Sequence, residues 1–399
     1  MEFAEFIRAH DGDDLGRLAL ARNRYAAEVE DFDLALTTLE VRRKLRSKVP
    51  EWYAVPELRY PFRLSGEQCS SAETARYKAL AAGPGLRLAD LTGGLGVDSW
   101  AFAQVFDRVL YNEMRPELAD AARHNFRVLG LENVTVRSME LTPGNLAQVL
   151  DGFSPDVIFL DPARRAADGR KVFRLEDCQP DVLQLLPELL AACPRLLLKL
   201  SPMADISLVC KQLCHVKAVH VVAAEGECKE LLLLLERGYD GPYRLFLYEN
   251  GHGLEILRFA QNDNSCHPEA HRDEGSLSGN NLYEPGKALL KAGAFDWPCR
   301  FGLKKLGRHT HLYVGEEVPE ELKAFGKAFR ILEALPLDKR NLKLIGQKYP
   351  RAEVTARNIP LTSDQLRAKL HVADGGSVHI FGVHVDFLNA NYLFVTERA

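Results

Sequence analysis

Short apolar runs alternate with amphipathic stretches through the middle of the chain. The stretches between the runs repeat apolar side chains every three or four residues, as a helix with one buried face does. The clearest runs are residues 86–91, 109–111, 134–136, 157–160 and 195–200. Such runs, alternating with helices, predict a mostly parallel sheet whose faces are both covered. In a sheet of this kind, ligands bind where the strands reach their carboxyl ends.

The pattern differs on both sides of this central region. Residues 1–80 carry helical spacings and capping residues, so they predict a helical region. Beyond residue 239, alternation on both sides of residues 249–253 predicts a β-hairpin. Residues 260–279 have no periodicity and few apolar side chains, which predicts a flexible insertion. The remainder mixes short strands and helices, as α+β modules do.

Composition limits the class of protein. The chain has 399 residues, 46% hydrophobic and 27% charged, which is typical of a globular protein with two or three domains. The net charge of −4 means that any RNA contact needs a local basic surface. No apolar run is long enough to predict a membrane span. The eight cysteines lack the spacing of a disulfide framework, so we expect reduced thiols in a cytoplasmic protein without membrane contact.

Two small groups contain residue types that bind metals. The first is Cys210 and Cys214 with His215, and the second is His267 with His271. The first group has no second pair of ligands nearby, as a structural zinc site requires. The second group lies in a stretch without any pattern. We therefore predict no metal site.

Residues 86–113 carry the most informative motif. An apolar run ends at Asp90, the glycine-rich sequence TGGLG follows at residues 92–96, and an amphipathic segment leads to a second apolar run closed by Glu113. The order strand, glycine turn, helix, strand and acid is typical of a unit that binds an adenosine-bearing ligand. The glycines allow the backbone to approach the ligand, and the acid accepts hydrogen bonds from the ribose hydroxyls.

Asp90 discriminates among the adenosine-bearing ligands. The pattern Gly94-x-Gly96-x-x-Ser99 is close to the dinucleotide fingerprint, and the loop lacks the Lys-Ser/Thr ending of a P-loop. A carboxylate at Asp90 repels the pyrophosphate of NAD or FAD and attracts the sulfonium and ammonium groups of S-adenosylmethionine. We therefore predict S-adenosyl-L-methionine as the cofactor, and an NAD-dependent dehydrogenase is the residual alternative.

Two motifs resemble those of class I methyltransferases. The sequence DLTGGLGVDSWAFA, which begins at Asp90, resembles their first motif, and DPARR, which begins at Asp161, resembles their fourth. From about Asp33 onward, the chain is similar to a bacterial family of S-adenosylmethionine-dependent methyltransferases. The resemblance implies an α/β fold with a Rossmann-like class I methyltransferase core, a helical N-terminal region, a small ferredoxin-like α+β module and a C-terminal THUMP-like α+β domain. The predicted boundaries are 1–80 for the helical region, 81–258 for the methyltransferase domain, 259–280 for the insertion, 281–325 for the ferredoxin-like module and 326–399 for the THUMP-like domain.

The resemblance also implies which residues hold the cofactor. Glu140 follows the third strand, where an acid of the family accepts a hydrogen bond from the adenine amino group, and Met139 is expected to pack on the adenine face. Ser71 is expected to cap the preceding helix, whose free amides suit the carboxylate of the cofactor. The predicted cofactor-binding residues are Ser71, Asp90, Thr92, Gly94, Gly96, Asp98, Glu113, Met114, Met139, Glu140 and Asp161.

The predicted catalytic residues are Asp161, Pro162 and Arg164. Methyl transfer needs an aligned nucleophile and, for an amine or a hydroxyl, a group that takes a proton, which suits Asp161. In amino-group methyltransferases the fourth motif continues with a second proline and an aromatic residue. Alanine and arginine replace them here, so the stacking ring is lost and the guanidinium of Arg164 can stack on a base or bind a phosphate. A salt bridge from Arg164 to Glu176 or Asp177 is the structural alternative.

Two stretches are rich in cations. Five cations lie in the predicted helix over residues 34–49, where a solvated face is favoured over a phosphate-contacting patch. THUMP-type domains bind structured RNA, so the resemblance favours an RNA-contacting surface in the last domain. A surface neutralised by nearby acids is the alternative there. The cations of that domain are Lys339, Arg340, Lys343, Lys348, Arg351, Arg357, Arg367 and Lys369.

Together these features predict a cytoplasmic methyltransferase that modifies a base nitrogen of structured RNA, either tRNA or rRNA, and not DNA. One alternative is a methyltransferase that acts on a small molecule. Another is an RNA-binding protein that keeps the cofactor but does not catalyse. The sequence leaves open which atom accepts the methyl group and what the oligomeric state is.

Overall fold

The computed structural model describes residues 2–164, 175–256 and 279–399, and only the backbone at Arg164. The predicted flexible insertion lies almost entirely outside the described residues. Asp338 and Thr362 cap the two helices that they precede, because each side chain accepts a hydrogen bond from a backbone N–H of the first helical turn.

The chain divides into two compact units. One comprises Met1–Val222 with Lys229–Arg244, and the other comprises Ala223–Cys228 with Leu245–Ala399. The finer domain boundaries given above stay predictions, because the division into two units does not test them.

The first unit begins with helices and continues as an alternation of strands and helices. Asp14, Asp31, Ser71, Asp181 and Asp205 each begin a helix by accepting a backbone hydrogen bond. The helices are α1 (Phe3–His10), α2 (Leu15–Leu20), α3 (Arg22–Tyr25), α4 (Phe32–Lys48), α5 (Pro50–Tyr53), α6 (Arg63–Gln68), α7 (Ala72–Ala81), α8 (Val97–Phe102), α9 (Pro116–Val128), α10 (Leu146–Leu150), α11 (Val182–Ala192) and α12 (Ile206–Gln212). The strands are β1 (Arg87–Asp90), β2 (Arg108–Asn112), β3 (Val134–Arg137), β4 (Val157–Leu160), β5 (Ala163–Arg164), β6 (Cys178–Gln179), β7 (Arg195–Leu200), β8 (Val216–Ala224) and β9 (Glu227–Glu236).

The main strands of the first unit lie in the order β8-β9-β7-β4-β1-β2-β3. β1 pairs in parallel with β2 and with β4, β2 pairs in parallel with β3, and β4 pairs in parallel with β7. The predicted mostly parallel sheet is therefore present, and β9 joins it antiparallel to β7. The chain builds outward from β1 through β2 and β3, and then returns to β4 on the other side of β1. This reversal opens a crevice at the carboxyl ends of β1 and β4, where open α/β sheets bind ligands.

The N-terminal helices pack onto this sheet unit through one hydrophobic cluster. Trp52 and Tyr60 are fully buried there together with Trp100, Tyr111 and Phe126. The rings of Trp52 and Tyr60 therefore pack on the core and are not accessible for stacking on bases. The helical region thus supports the segment that follows β1.

The cations of α4 bind within the protein. Arg42 is buried and donates a 3.1 Å hydrogen bond to the carbonyl oxygen of Val55. Lys44 forms a salt bridge with Glu67, and Lys48 donates a 2.6 Å hydrogen bond to the carbonyl oxygen of Glu67. These partners contradict the phosphate-contacting alternative for these three cations.

The second unit contains a hairpin and a second sheet. Its helices are α13 (Lys287–Ala292), α14 (Glu320–Lys323), α15 (Lys339–Lys348) and α16 (Ser363–Leu370). Its strands are β10 (Arg244–Glu249), β11 (His252–Ile256), β12 (Asn281–Pro285), β13 (Lys304–Lys305), β14 (Tyr313–Gly315), β15 (Gly326–Pro336), β16 (Glu353–Arg357), β17 (Val378–Val385) and β18 (Ala390–Arg398). The predicted hairpin is confirmed, because β10 and β11 pair antiparallel. The second sheet has the order β13-β14-β12-β15-β18-β17-β16, with only its β16–β17 pair parallel.

The structure also bears on two expectations from the sequence, about membrane spans and about the cysteines. No helix in the described ranges is both long and apolar enough to cross a membrane. Among the residues that the structure describes, six cysteines are free thiols and Cys299 is disulfide-bonded, so the expectation of reduced thiols is wrong at Cys299. Spacing along the chain did not reveal this bond, because a disulfide depends on the spatial distance between two side chains.

Candidate functional site

A cavity of about 640 Å³ lies at the carboxyl ends of the central strands of the first unit. Many residues predicted to bind the cofactor line it, although they come from separate parts of the chain. These residues are Thr92, Gly94, Gly96, Asp98, Glu113, Met114, Met139, Glu140 and Asp161. The structure therefore brings most of the predicted set together at one site.

The loop after β1, residues 91–96, is shaped by close contacts that exclude larger side chains. A Cβ atom at Gly93 would lie 2.1 Å from the ring of Tyr111, so only glycine fits there. The hydroxyl of Tyr111 donates a 2.6 Å hydrogen bond to the carbonyl oxygen of Gly94. Gly96 has a φ of 93°, which is strained for other residues, and it begins α8. The loop backbone is thereby fixed along the cavity.

Glu113 occupies the position expected for the ribose-binding acid. One of its carboxylate oxygens accepts a 2.9 Å hydrogen bond from the N–H of Gly94, and the other accepts a 3.0 Å hydrogen bond from the N–H of Arg115. These bonds orient the carboxylate beside the cavity. Because each carboxylate oxygen has more than one acceptor direction, both retain capacity for hydroxyl donors.

Asp90 does not face the cavity, which corrects the sequence prediction. Its carboxylate is fully buried and accepts hydrogen bonds from the N–H of Thr92 at 3.1 Å and from the hydroxyl of Ser99 at 2.6 Å. Burial, together with the nearby charge of Asp98, raises its pKa to about 7, although the hydrogen bonds from Ser99 and Thr92 oppose this increase. Asp90 therefore stabilises the loop and the start of α8 through these two hydrogen bonds, and it does not line the cavity.

Of three other residues predicted to form the site, two do not line the cavity, and the side chain of the third lies outside the described residues. Ser71 caps α7 by accepting a 3.2 Å hydrogen bond from the N–H of Thr74, and its neighbour Ser70 lines the cavity instead. Pro162 is buried and does not line the cavity. The side chain of Arg164 lies outside the described residues, so its predicted role stays a prediction.

Asn112 positions the segment that follows β3, and the sequence reasoning missed it. Its side-chain amide donates a 2.9 Å hydrogen bond to the carbonyl oxygen of Met139 and accepts a 3.1 Å hydrogen bond from the N–H of the same residue. Asn112 is buried at the end of β2. The signal in the sequence for this role of Asn112 was a polar residue at the end of a buried strand, directly before Glu113. This two-way contact holds Met139 and Glu140 at the cavity.

Asp161 is fixed at the end of β4 by Thr92, in the loop after β1, and by Lys199, in β7. Its backbone N–H donates a 2.6 Å hydrogen bond to the hydroxyl of Thr92, and its carboxylate forms a salt bridge with the ammonium group of Lys199. About a third of the Asp161 side chain is exposed, so the carboxylate is accessible from the cavity. The end of β4 thus presents an oriented carboxylate.

An ionic cluster extends from Asp161 into the protein, and the sequence did not predict it. Lys78 binds Glu230 at 2.7 Å and Asp98 at 3.2 Å. Asp98 also accepts a 2.9 Å hydrogen bond from the hydroxyl of Ser70. We call Lys78, Asp98, Asp161, Lys199 and Glu230 the ionic cluster.

The charge of the cavity favours a cationic ligand. In the part of the chain that the structure describes, five acidic and two basic side chains line it. The same description contains no group of three or more histidine, cysteine or acidic side chains placed to hold a metal ion. These acidic side chains, rather than Asp90, therefore attract a positively charged cofactor. Lining residues are Asp98, Glu113, Glu140, Asp161 and Asp181 among the acids, and Arg115 and Lys199 among the bases.

Two further segments line the cavity without having been predicted. Leu64, Ser65 and Gln68 of α6 form one part of the wall, and Gln179 and Gln184 form another. The first segment precedes the glycine loop by more than twenty residues and the second belongs to no recognised motif, so the sequence contained no signal for either.

Comparison with known proteins identifies the class of enzyme to which the chain is similar. Residues 282–322 match a family described as a ferredoxin-like domain, and residues 326–398 match one described as THUMP domain-like. Two Mycobacterium tuberculosis proteins, each named an uncharacterized S-adenosylmethionine-dependent methyltransferase, are 26% identical over 313 residues, which cover 77% of this chain and 79% of theirs. Ribosomal RNA small subunit methyltransferase J of Halorhodospira halophila is 30% identical over 149 residues, which cover 33% of this chain and 56% of that protein.

A solved structure matches the full length of the chain. The crystal structure of a "putative methyltransferase" from Porphyromonas gingivalis W83 has a TM-score of 0.85 and 31% sequence identity, and the match covers 100% of this chain and 97% of that one. The predicted fold class, enzyme class and cofactor are thereby confirmed. The chain belongs to the family of S-adenosylmethionine-dependent methyltransferases that carry a ferredoxin-like and a THUMP-like region.

Proposed function

We propose that the enzyme methylates structured RNA at a base nitrogen of tRNA or rRNA, in the cytoplasm. The relative from Halorhodospira halophila is named for the RNA that it modifies, and residues 326–398 match a family described as THUMP domain-like. The orientation of Asp161 in the cavity is the observation that carries the chemical part of this proposal. The basic surface of the second unit supports the choice of RNA.

The lining of the cavity fits the cofactor. S-adenosylmethionine supplies an electrophilic methyl group on a positively charged sulfur, and the acidic excess of the cavity suits that charge. The carboxylate of Glu113 would hold the ribose hydroxyls, and Met139 and Glu140 would hold the adenine. The loop of residues 91–96 allows close approach, because Gly93 and Gly96 carry no side chain.

Asp161 is suited to orient the acceptor. An ionised carboxylate accepts hydrogen bonds only, so it binds an amino group of a base and directs its nitrogen into the cavity. The same carboxylate takes the proton that the nitrogen loses after methylation. Its salt bridge with Lys199 holds the carboxylate in one orientation, which both actions require.

The second unit offers cations that the protein does not neutralise. On α15, Lys339, Arg340 and Lys343 are exposed and form no salt bridge with any described residue. Other cations of this unit are paired, for example Lys348 with Glu333 at 2.6 Å and Arg357 with Glu284 at 2.5 Å. Nearby acids therefore neutralise only some of the cations that were predicted to contact RNA. Exposed, unpaired cations are the groups that bind phosphates.

Labelled cofactor tests the proposal in vitro. The purified enzyme is incubated with methyl-labelled S-adenosylmethionine and with tRNA, rRNA or a small-molecule extract, and incorporation is measured in each. We expect label in RNA, a loss of at least about 100-fold in Asp161→Ala, and unchanged binding of S-adenosylhomocysteine. Asp120→Ala, which removes an exposed carboxylate of α9, is the matched control and keeps full activity.

Each alternative has its own outcome in this assay. Label only in small molecules contradicts the RNA proposal and supports the small-molecule methyltransferase. Binding of RNA and S-adenosylhomocysteine without any incorporation supports the non-catalytic RNA-binding protein. Equal incorporation by Asp161→Ala and by the wild type contradicts the proposed role of Asp161.

A further inference from the structure

Lys78 is a fully buried cation beneath the cavity. Its ammonium group binds both oxygens of Glu230, at 2.7 and 2.9 Å, and lies 3.2 Å from Asp98. The side chain of Lys78 is 0% exposed and that of Glu230 is 4% exposed. Removing two charges from water is strongly unfavourable, and their mutual attraction often only balances this cost. Stability alone therefore does not explain the pair.

Glu230 connects this pair to the cavity. The same carboxylate lies 3.9 Å from the ammonium group of Lys199, which in turn forms the salt bridge with Asp161. The contacts run from α7 through β9 and β7 to the end of β4. Lys199 lines the cavity, whereas Lys78 and Glu230 do not. Glu230 reaches the cavity through Lys199, and Lys78 reaches it both through Glu230 and through Asp98.

The charges around Lys199 favour its ammonium form. Burial opposes that charge, but the carboxylates of Asp161, Glu230 and Asp98 outweigh the effect and raise the pKa of Lys199 above its ordinary value. The other titratable groups near it are Lys78, through their shared partner Glu230, and the buried thiol of Cys69. Glu230 is thus one of the three acids that keep Lys199 charged.

We propose that Glu230 and Lys78 are positioning residues, which hold the ammonium group of Lys199 against the carboxylate of Asp161. This inference rests on the proposed role of Asp161 in orienting the acceptor. Lys78 fixes the carboxylate of Glu230, Glu230 fixes and stabilises the charge of Lys199, and Lys199 holds the carboxylate of Asp161 in position at the cavity. The side chains of Lys78 and Glu230 touch neither cofactor nor acceptor.

Glu230→Gln tests the charge of Glu230 while keeping its shape. We expect kcat for methyl transfer to fall about 10- to 100-fold, as small displacements of a catalytic group do, with an unchanged KM for the cofactor. The alkaline limit of the kcat profile should move to lower pH, because Lys199 loses a neighbouring negative charge. Glu236→Gln is the matched control, since Glu236 also ends an ion pair on β9, with Lys217 at 2.7 Å. It should behave as the wild type.

Lys78→Met/Glu230→Met separates positioning from folding. Replacing both members of a buried pair by apolar side chains is often tolerated. Asp98 loses its contact with Lys78 but keeps its hydrogen bond from Ser70, and Lys199 keeps its salt bridge with Asp161. If the pair serves only stability, this variant keeps the wild-type kcat and pH profile. The positioning role predicts a folded protein with the same loss of kcat as Glu230→Gln, and wild-type activity in the double variant overturns it.

A comparison of the Lys199 resonances decides the inference without any acceptor. The side-chain resonances of Lys199, assigned by their absence from Lys199→Arg, are compared by NMR at neutral pH. We expect them to shift in Glu230→Gln, because the ammonium group loses a charged neighbour, and to stay unchanged in Glu236→Gln. Identical resonances in all three proteins overturn the inference even if RNA is the substrate. Failure of the wild type to methylate RNA contradicts the proposed function, and this comparison still decides the role of Glu230.

Discussion

The backbone N–H of Asp161 donates a 2.6 Å hydrogen bond to the hydroxyl of Thr92. Thr92 belongs to the loop after β1, and Asp161 follows β4 on the other side of the crevice. The bond therefore joins the two edges between which an open α/β sheet binds its ligand. Under the proposed function, the loop that surrounds the cofactor also sets the position of the residue that orients the acceptor.

Thr92→Val should reduce catalysis more than cofactor binding. Valine keeps the shape of threonine but cannot accept the hydrogen bond, so the N–H of Asp161 loses its partner, at roughly 1 kcal/mol of stability. We expect kcat to fall about tenfold, because Asp161 is no longer fixed. Steady-state kinetics and binding of S-adenosylhomocysteine measure the two effects. Thr92→Ser keeps the hydroxyl and serves as the control, and equal kcat in both variants contradicts this role of the hydroxyl.

Asn112→Leu should weaken cofactor binding. The change leaves the N–H and carbonyl oxygen of Met139 without their side-chain partner, and we expect a loss of about 1–3 kcal/mol of stability. The affinity for S-adenosylhomocysteine should fall, because Met139 and Glu140 lose their position at the cavity. Calorimetry of binding measures that affinity.

Asn133→Leu is the matched control for this prediction. Asn133 also joins two backbone carbonyl groups, of Ala103 and Phe106, at 2.9 Å each, but it precedes β3 at the opposite end of the sheet. It should destabilise the protein without changing the affinity for S-adenosylhomocysteine. A similar loss of affinity in both variants means that general destabilisation, rather than the position of Met139, weakens binding.

Asp90 makes a specific contribution to the pH dependence of stability. Burial raises its folded-state pKa to about 7 from an ordinary value of 3.8. Between these two values the folded protein keeps a proton that the unfolded chain releases, so rising pH favours unfolding by about 1.4 kcal/mol per pH unit. The contribution is fully present below pH 3.8 and is lost as the pH rises to about 7.

Comparison of the wild type with Asp90→Asn isolates this contribution. The free energy of unfolding is measured with denaturant at a series of pH values, and the difference between the two proteins removes all other titrations. We expect the advantage of the wild type over the variant to shrink between about pH 4 and pH 7 and to stay constant above pH 7. A difference that does not change with pH contradicts the raised pKa of Asp90.

The unpaired cations of α15 should determine the salt dependence of RNA binding. Replacing Lys339, Arg340 and Lys343 by serine removes three exposed charges, so the slope of log affinity against log salt should decrease in magnitude by roughly 2 to 3. Replacing Lys323, Arg330 and Lys348 by serine is the control with the same change in charge. Each of these cations already forms a salt bridge, with Glu320, Glu397 and Glu333 respectively. Equal slopes in the two triple variants contradict the surface that we propose.

The main elements of the first unit could be predicted because they rest on local patterns. All residues of β4 are buried and apolar, so its sequence identifies it without tertiary information. The glycine loop, Glu113 and Asp161 also follow from their positions at the ends of such strands. Each of these signals lies within a few residues of the feature that it predicts.

The orientation of Asp90 and the burial of Lys78 could not be predicted in the same way. The carboxylate of Asp90 turns toward the hydroxyl of Ser99, and the sequence does not tell whether a carboxylate at a strand end faces the crevice or the loop. Lysine side chains are almost never fully buried, so nothing in the sequence around Lys78 indicates that it is buried. Its burial depends on Glu230, which is 152 residues away in the chain. Contacts of this range depend on the assembled sheet.

Mass spectrometry of modified nucleosides tests the central claim most directly. Total tRNA and rRNA are compared between a strain that lacks the gene and strains complemented with the wild type or with Asp161→Ala. We expect one methylated nucleoside to disappear in the deletion, to return with the wild type, and to stay absent with the variant. An unchanged set of methylated nucleosides in the deletion strain would contradict the proposal that this enzyme methylates RNA.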